Sequence, residues 1–133
     1  MKFPIVIHKD PDSDYGVTAL GLPGCYSAGS SFEEAMSNAE EAIECHIEGM
    51  LADGESLPIQ DTIENLKQEY DFEDETWALV SVDVSKLSGK AKRVNVTLPE
   101  HILHQMDTFA ASHGESRSGL IANAAIEYMA AHR

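Results

Sequence analysis

The stretch Arg93-Val94-Asn95-Val96-Thr97-Leu98-Pro99 decides the fold of the last third of this 133-residue chain. Polar and apolar residues alternate along it, and alternate side chains of a β-strand face opposite sides. We therefore predict a strand that turns one apolar face towards a core. The side chains on that face are Val94, Val96 and Leu98. The side chains on the opposite, polar face are Arg93, Asn95 and Thr97.

Two helices are predicted after this strand. Pro99 suits the first position of a helix, Gly114 ends that helix, and Ser116 is a good N-cap for the next one. Apolar residues recur at helical spacing in both segments. They are Ile102, Met106, Phe109 and Ala110 in the first helix, and Leu120, Ile121, Ala124, Ala125, Tyr128 and Met129 in the second.

This strand-helix-helix unit has about 42 residues, near the lower size limit for an independent core. Its strand also lacks a partner inside the unit. Pairing with the same strand of a second copy meets both needs, because it forms a two-stranded antiparallel ribbon over a shared core of four helices. We therefore predict a homodimer through the ribbon, or a higher assembly built from such dimers.

The outer face of such a ribbon has the chemistry of a DNA-binding surface. A two-stranded ribbon fits the major groove, where Arg93 can donate two hydrogen bonds to guanine, Asn95 can bond adenine, and Thr97 can touch a thymine methyl or a polar edge. The start of the second helix, Ser116-Arg117-Ser118, can offer backbone N–H groups and a positive dipole end to phosphate. The alternative is a dimerisation unit without DNA contact, because exposed polar side chains need no further role.

The order of these features resembles the ribbon-helix-helix family of bacterial repressors. The resemblance rests on residues 93–99, Gly114, Ser116-Arg117-Ser118 and the run Ala125-Ile126-Glu127-Tyr128. It covers the last third of the chain, and it implies a palindromic operator DNA as partner.

Charge divides the chain into two parts. Residues 1–88 carry 4 Lys against 19 Asp and Glu, a net charge of −15, whereas residues 89–133 carry 5 Lys and Arg against 4 acids, a net charge of +1. We predict a linker at residues 86–91, between an N-terminal domain of residues 1–85 and a C-terminal unit of residues 92–133. The acidic domain would attract a basic protein, although the same acids would also simply keep it soluble.

An α+β fold is predicted for the N-terminal domain, with a small antiparallel sheet packed by helices. Strands are predicted at residues 3–7, 15–22, 25–28 and 76–84. A long helix is predicted from Ser30 to Asp53, where Ser30 or Ser31 can form a capping box and Gly54 stops the helix. A shorter helix is expected within residues 59–70, and an acidic loop at 71–75.

Residues 22–35 and 39–43, together with the later Leu57-Pro58, resemble the HicB antitoxin family. The similarity spans most of residues 3–60. It implies a partly lost RNase H-like fold and a small basic partner, the HicA toxin, which is an mRNA-cleaving ribonuclease. It also implies repression of the antitoxin's own operon. The resemblance assigns no toxin-contacting residue in this chain.

Catalytic chemistry is not expected. Asp10, Asp12 and Asp14 invite a metal-site interpretation, but an EF-hand needs Gly and Glu at the places that Tyr15 and Gly21 occupy. A two-metal nuclease needs carboxylates on separate elements, and the first strand offers no central acid. We predict no catalytic residue, no metal and no cofactor.

The remaining signals concern single residues and compartment. Cys25 and Cys45 match no metal or redox spacing and are expected to be buried thiols, and His46 is expected at the edge of the core. No apolar run approaches the ~20 residues of a membrane span. The first apolar run is also too short for a signal peptide, so a cytoplasmic protein is expected.

The function predicted from the sequence is that of an antitoxin which occludes a HicA-like toxin and represses its operon, without being an enzyme. Two alternatives stay open at this point. One is a ligand-sensing ribbon-helix-helix repressor, and the other is a metal-dependent nuclease.

Overall fold

Strand β1, Lys2–Lys9, lies inside a four-stranded antiparallel sheet of order β3-β2-β1-β4. The other strands are β2, Tyr15–Ala19; β3, Tyr26–Gly29; and β4, Thr76–Ser81. The helices are α1, Phe32–Ala52; α2, Ile63–Glu69; α3, Glu100–Ser112; and α4, Arg117–Ala131, with a 3₁₀ turn at Val84–Lys86. This computed structural model describes residues 1–72, 75–87 and 91–132.

The centre of the sheet is covered on both faces. In β1, Phe3, Ile5 and Ile7 belong to a core that α1 completes with Ala35, Ala39, Ile43 and Ile47. Val6 is also buried and lies opposite Trp77 in the register of β1 and β4. The Nζ of Lys67, on α2, lies 5.8 Å from the centre of the Trp77 ring, so a side chain of α2 reaches this second face. Burial on both faces explains why β1 is a continuous apolar run instead of an alternating one.

Helix α1 begins and ends where the sequence predicts. Ser31 is its N-cap, and the Ser31 hydroxyl accepts a hydrogen bond from the Glu34 N–H at 3.1 Å. The Ser30 hydroxyl donates to the Glu34 carboxylate at 2.8 Å, so both serines contribute to the start of the helix. Gly54 follows the helix with φ +72°, a conformation that a residue without Cβ adopts at little cost.

The α+β class and the small antiparallel sheet packed by helices are confirmed. Several boundaries differ from the prediction: β4 ends at Ser81 instead of residue 84, and α2 is confined to residues 63–69. The chain turns into the 3₁₀ segment after β4 because Asp83 caps it, accepting a hydrogen bond from the Ser85 N–H. Residues 73–74 of the predicted acidic loop and residues 88–90 of the predicted linker lie outside the described residues.

One prediction about the cysteines is wrong. Cys25 is buried in the core, and burial raises the pKa of its thiol, but Cys45 is exposed. Cys45 lies on α1 between the buried positions Ile43 and Ile47, on the side of the helix that faces solvent. His46 is half-buried, as expected for a residue at the edge of the core.

Candidate nucleic-acid interface and acidic partner surface

The segment of residues 91–99 holds the predicted base-contacting side chains Arg93, Asn95 and Thr97, and all three are exposed. In this single chain the segment forms neither a helix nor a paired strand. Val94 is 70% exposed and Val96 is 68% exposed, while Leu98 is half-buried. Val94 and Val96 therefore cover no core among the described residues, and the paired ribbon stays a prediction.

Exposed apolar side chains are concentrated in the C-terminal unit. Among the described residues, seven of the twelve large exposed hydrophobic side chains lie between residues 94 and 129. They are Val94, Val96, Ile102, Phe109, Ile121, Tyr128 and Met129. Isolated exposed apolar residues are ordinary on a soluble protein, but here more than half of them lie in about a third of the chain.

The start of α4 is held in place by two interactions. Ser116 is the N-cap, and its hydroxyl accepts a hydrogen bond from the Gly119 N–H at 3.0 Å. Arg117 donates two hydrogen bonds to Asp107 of α3, from Nε to Oδ1 and from Nη2 to Oδ2, each at 2.8 Å. These hydrogen bonds lower the pKa of the Asp107 carboxyl and raise that of the Arg117 guanidinium.

Some groups of the predicted phosphate-contacting residues are already hydrogen-bonded within the chain. The side chain of Arg117 is paired with Asp107, and the hydroxyl of Ser116 is the helix cap. The backbone N–H groups of Arg117 and Ser118 lie in the first turn of α4, where a helix supplies no internal acceptors. These N–H groups and the exposed side chain of Ser118 are the groups at this end of the helix that an anion can reach.

One side of α4 contacts the N-terminal domain. The sequence does not predict this contact. The side-chain amide of Asn123 donates to Asp83 Oδ1 at 3.1 Å, and Ile126 packs against the core of the N-terminal domain. Asn123 interrupts the apolar residues of α4, and that polar position is the one signal in the sequence that points to this contact.

The N-terminal domain presents many acidic side chains to solvent. On α1 the exposed acids are Glu33, Glu34, Glu40, Glu41 and Glu48. Asp10, Asp12 and Asp14 are also exposed, in the loop between β1 and β2. Among the described residues, no three His, Cys, Asp or Glu side chains are grouped so that they could hold a metal ion. The same residues include no helix that is both long and apolar enough to span a bilayer.

Fold and surface together define a small α+β domain with an acidic exterior, followed by a helical unit that exposes an apolar surface. The family of HicB-like antitoxins of bacterial toxin-antitoxin systems matches residues 3–125. The chain belongs to this family, as its resemblance predicts.

Individual relatives agree with this assignment. The crystal structure of the Burkholderia pseudomallei antitoxin HicB is 43% identical, covers 96% of this chain and 98% of that chain, and has a TM-score of 0.84. The match includes the sheet as well as α3 and α4, so the placement of the two parts is shared. The crystal structure of the N-terminal domain of the same antitoxin is 39% identical, covers 62% of this chain and 99% of that one, and has a TM-score of 0.54.

A relative of similar length is known from a virus. An uncharacterised 14.9 kDa protein of Haemophilus phage HP1 is 44% identical over 118 residues, which are 89% of this chain and 88% of the phage protein. The two proteins therefore share both parts of the chain.

Proposed function

We propose that this chain neutralises a HicA-like, mRNA-cleaving toxin by covering it, and that it represses its own operon by binding a palindromic operator. The N-terminal domain, residues 1–85, would hold the toxin, and residues 86–91 would link it to the C-terminal unit, residues 92–133. A homodimer through the ribbon would bind the DNA. The chain would need no catalytic residue, metal or cofactor for either role.

The observation that carries the DNA-binding half is the exposed, alternating segment. Val94 and Val96 are uncovered among the described residues, and in a β-strand Arg93, Asn95 and Thr97 would face the side opposite to them. Pairing with a second copy buries the first set and doubles the second. The N–H groups of the first turn of α4 would then contact phosphate on either side.

Charge and family support the toxin-binding half. The family consists of antitoxins, and the exposed acids of the N-terminal domain provide long-range attraction for a basic ribonuclease. The C-terminal unit, with a net charge near +1, carries less electrostatic repulsion towards DNA than the domain before it. The affinity of this unit for DNA must therefore rest on the shape of the ribbon and on the two copies of its DNA contacts in the dimer.

The alternative, a ligand-sensing repressor, has one structural feature in its favour. A cavity of about 230 Å³ lies between the loop after α1, lined by Leu51 and Gly54–Leu57, and the end of α4, lined by Ile126, Met129 and Ala130. This volume lies below the roughly 300–1,000 Å³ of ordinary small-molecule sites. The antitoxin proposal is preferred for that reason.

Co-expression with the neighbouring reading frame tests the proposal. We expect a small basic protein to co-purify with the chain and to lose its RNA-cleaving activity in the complex. We also expect the chain alone to retard DNA from its own promoter in a gel, but not a scrambled duplex. A neighbour that cleaves RNA equally well in the presence of the chain would refute the toxin role, and equal retardation of both duplexes would refute the operator role.

A further inference from the structure

Helix α4 has two faces that can be occupied at the same time. Residues 119, 123, 126 and 130 lie on one side of a helix with 3.6 residues per turn, and residues 121, 124, 125 and 128 lie on the opposite side. The first side is turned towards the N-terminal domain, and the second is exposed. A second copy can therefore cover the exposed side without displacing α4 from its own N-terminal domain.

The contact between α4 and the N-terminal domain has a polar centre. Asp83 Oδ1 accepts three hydrogen bonds, from the Ser85 hydroxyl at 2.6 Å, the Ser85 N–H at 3.1 Å and the Asn123 amide at 3.1 Å. The Ser85 and Asn123 bonds hold the pKa of Asp83 below its ordinary value, so the carboxylate is charged at neutral pH. We call this set, Asp83, Ser85 and Asn123, the Asp83 joint.

The Asp83 joint lies close to the sheet in the chain. Asp83 follows β4 by two residues, and β4 is paired with the central strand β1 from Thr76 to Ser81. Val84, the next residue, is fully buried in the core, and Ile126 of α4 packs against the same core. The Asp83 joint and the apolar contact beside it therefore connect α4 directly to the end of β4 and to the core.

The contact is also incompletely packed. The cavity of about 230 Å³ opens beside Ala130. The side-chain oxygen of Asn123, Oδ1, is buried without a hydrogen-bond partner among the described residues. A solvent-accessible gap forgoes packing contacts and a buried unpaired polar atom costs free energy, so the contact between α4 and the N-terminal domain is weaker than a filled one. Such a contact can hold one orientation and still open or shift when a large partner binds.

We propose that Asp83 and Asn123 are positioning residues that fix the N-terminal domain relative to the DNA-binding dimer. They thereby couple toxin binding to operator affinity. This inference rests on the proposed function, because it assigns the coupling between its two halves to one hydrogen-bonded contact. Neither residue touches DNA or toxin in this scheme. Each acts through α4, whose opposite face contributes to the dimer.

Asn123→Asp is the decisive substitution, since it places a second carboxylate against Asp83. Adding Asp83→Asn removes that repulsion and restores a donor to the pair. Gln68→Glu is the matched control, because it adds the same charge at an exposed position of α2. Asn123→Ala is a milder variant, which removes the hydrogen bond without adding a charge, in case Asn123→Asp disturbs folding.

Amide hydrogen exchange and operator titration with the full-length chain provide separate readouts. In Asn123→Asp we expect exchange at residues 84–87 to accelerate at least tenfold, while circular dichroism and dimer mass stay unchanged. We expect operator affinity of the toxin-free chain to change less than threefold. We expect the change in operator affinity caused by the co-purified toxin to shrink at least fivefold. The double variant should recover both properties, and Gln68→Glu should behave as wild type.

Three results would overturn the inference in different ways. Unchanged exchange in Asn123→Asp would mean that the Asp83 joint does not hold α4. Accelerated exchange with an unaltered toxin effect on DNA affinity would reduce the contact to a structural one. A wild-type chain that binds no operator DNA would instead refute the proposed function. The positioning role would fall with it, even if exchange showed the contact to be present.

Discussion

Val96→Ala tests the dimer that the proposed function requires. Val96 is 68% exposed in the single chain, so about two-thirds of its side chain remains to be buried by a second copy. The substitution removes two carbon atoms; at about 0.8 kcal/mol for each buried CH₂, scaled by that fraction, the loss is about 1 kcal/mol per copy. A symmetric dimer contains two copies and loses about 2 kcal/mol, which corresponds to a roughly 30-fold rise in the dimer Kd.

Sedimentation equilibrium of the full-length chain measures this change. Thr97→Ala is the control, because residue 97 follows Val96 but points to the opposite side of a strand. We expect it to leave the dimer Kd within threefold of wild type while it weakens operator binding. A Val96→Ala dimer as tight as wild type, or an equal loss in both variants, would refute the assignment of Val96 to the interface.

Three further outcomes are expected. Arg93→Ala should cost about 1–3 kcal/mol of operator affinity and relax the base preference, measured by fluorescence anisotropy on matched and substituted duplexes; an equal loss on every duplex would make Arg93 a phosphate contact. Ser31→Ala should lower the free energy of unfolding of the N-terminal domain by about 1 kcal/mol in urea, because α1 loses its cap, and no change in the unfolding midpoint would contradict that role. The pairing of Asp107 with Arg117 lowers the pKa of the Asp107 carboxyl, so the stabilisation of the fold by this pair should be complete at neutral pH and lost as the pH falls through that lowered pKa. Asp107→Asn should therefore have a lower melting temperature than wild type at pH 7. A difference in melting temperature that persists in strong acid would contradict the assignment.

Much of the N-terminal domain follows from local sequence. The serines before α1 and Gly54 after it determine the bounds of that helix. The Ser31 hydroxyl accepts a hydrogen bond from an N–H that the helix leaves unpaired, and Gly54 adopts the positive φ at which the chain leaves the helix. Composition misplaces Cys45, because it predicts only the average burial of cysteine, whereas the burial of Cys45 depends on which side of α1 meets the sheet. The alternating pattern predicts too long a strand β4 for a related reason, since the cap formed by Asp83 depends on the chain turning away from the sheet.

The sequence by itself determined the alternation of polar and apolar residues at 93–98, the serine caps of α1 and α4 and the uneven charge, because each depends only on residue type and spacing. Tertiary structure alone decided which residues α4 contacts. Asn123 meets Asp83 across 40 positions of chain, and Arg117 is taken by Asp107 instead of remaining free at the helix start. Such contacts depend on how packed elements approach one another, and periodicity along the chain carries no information about that approach.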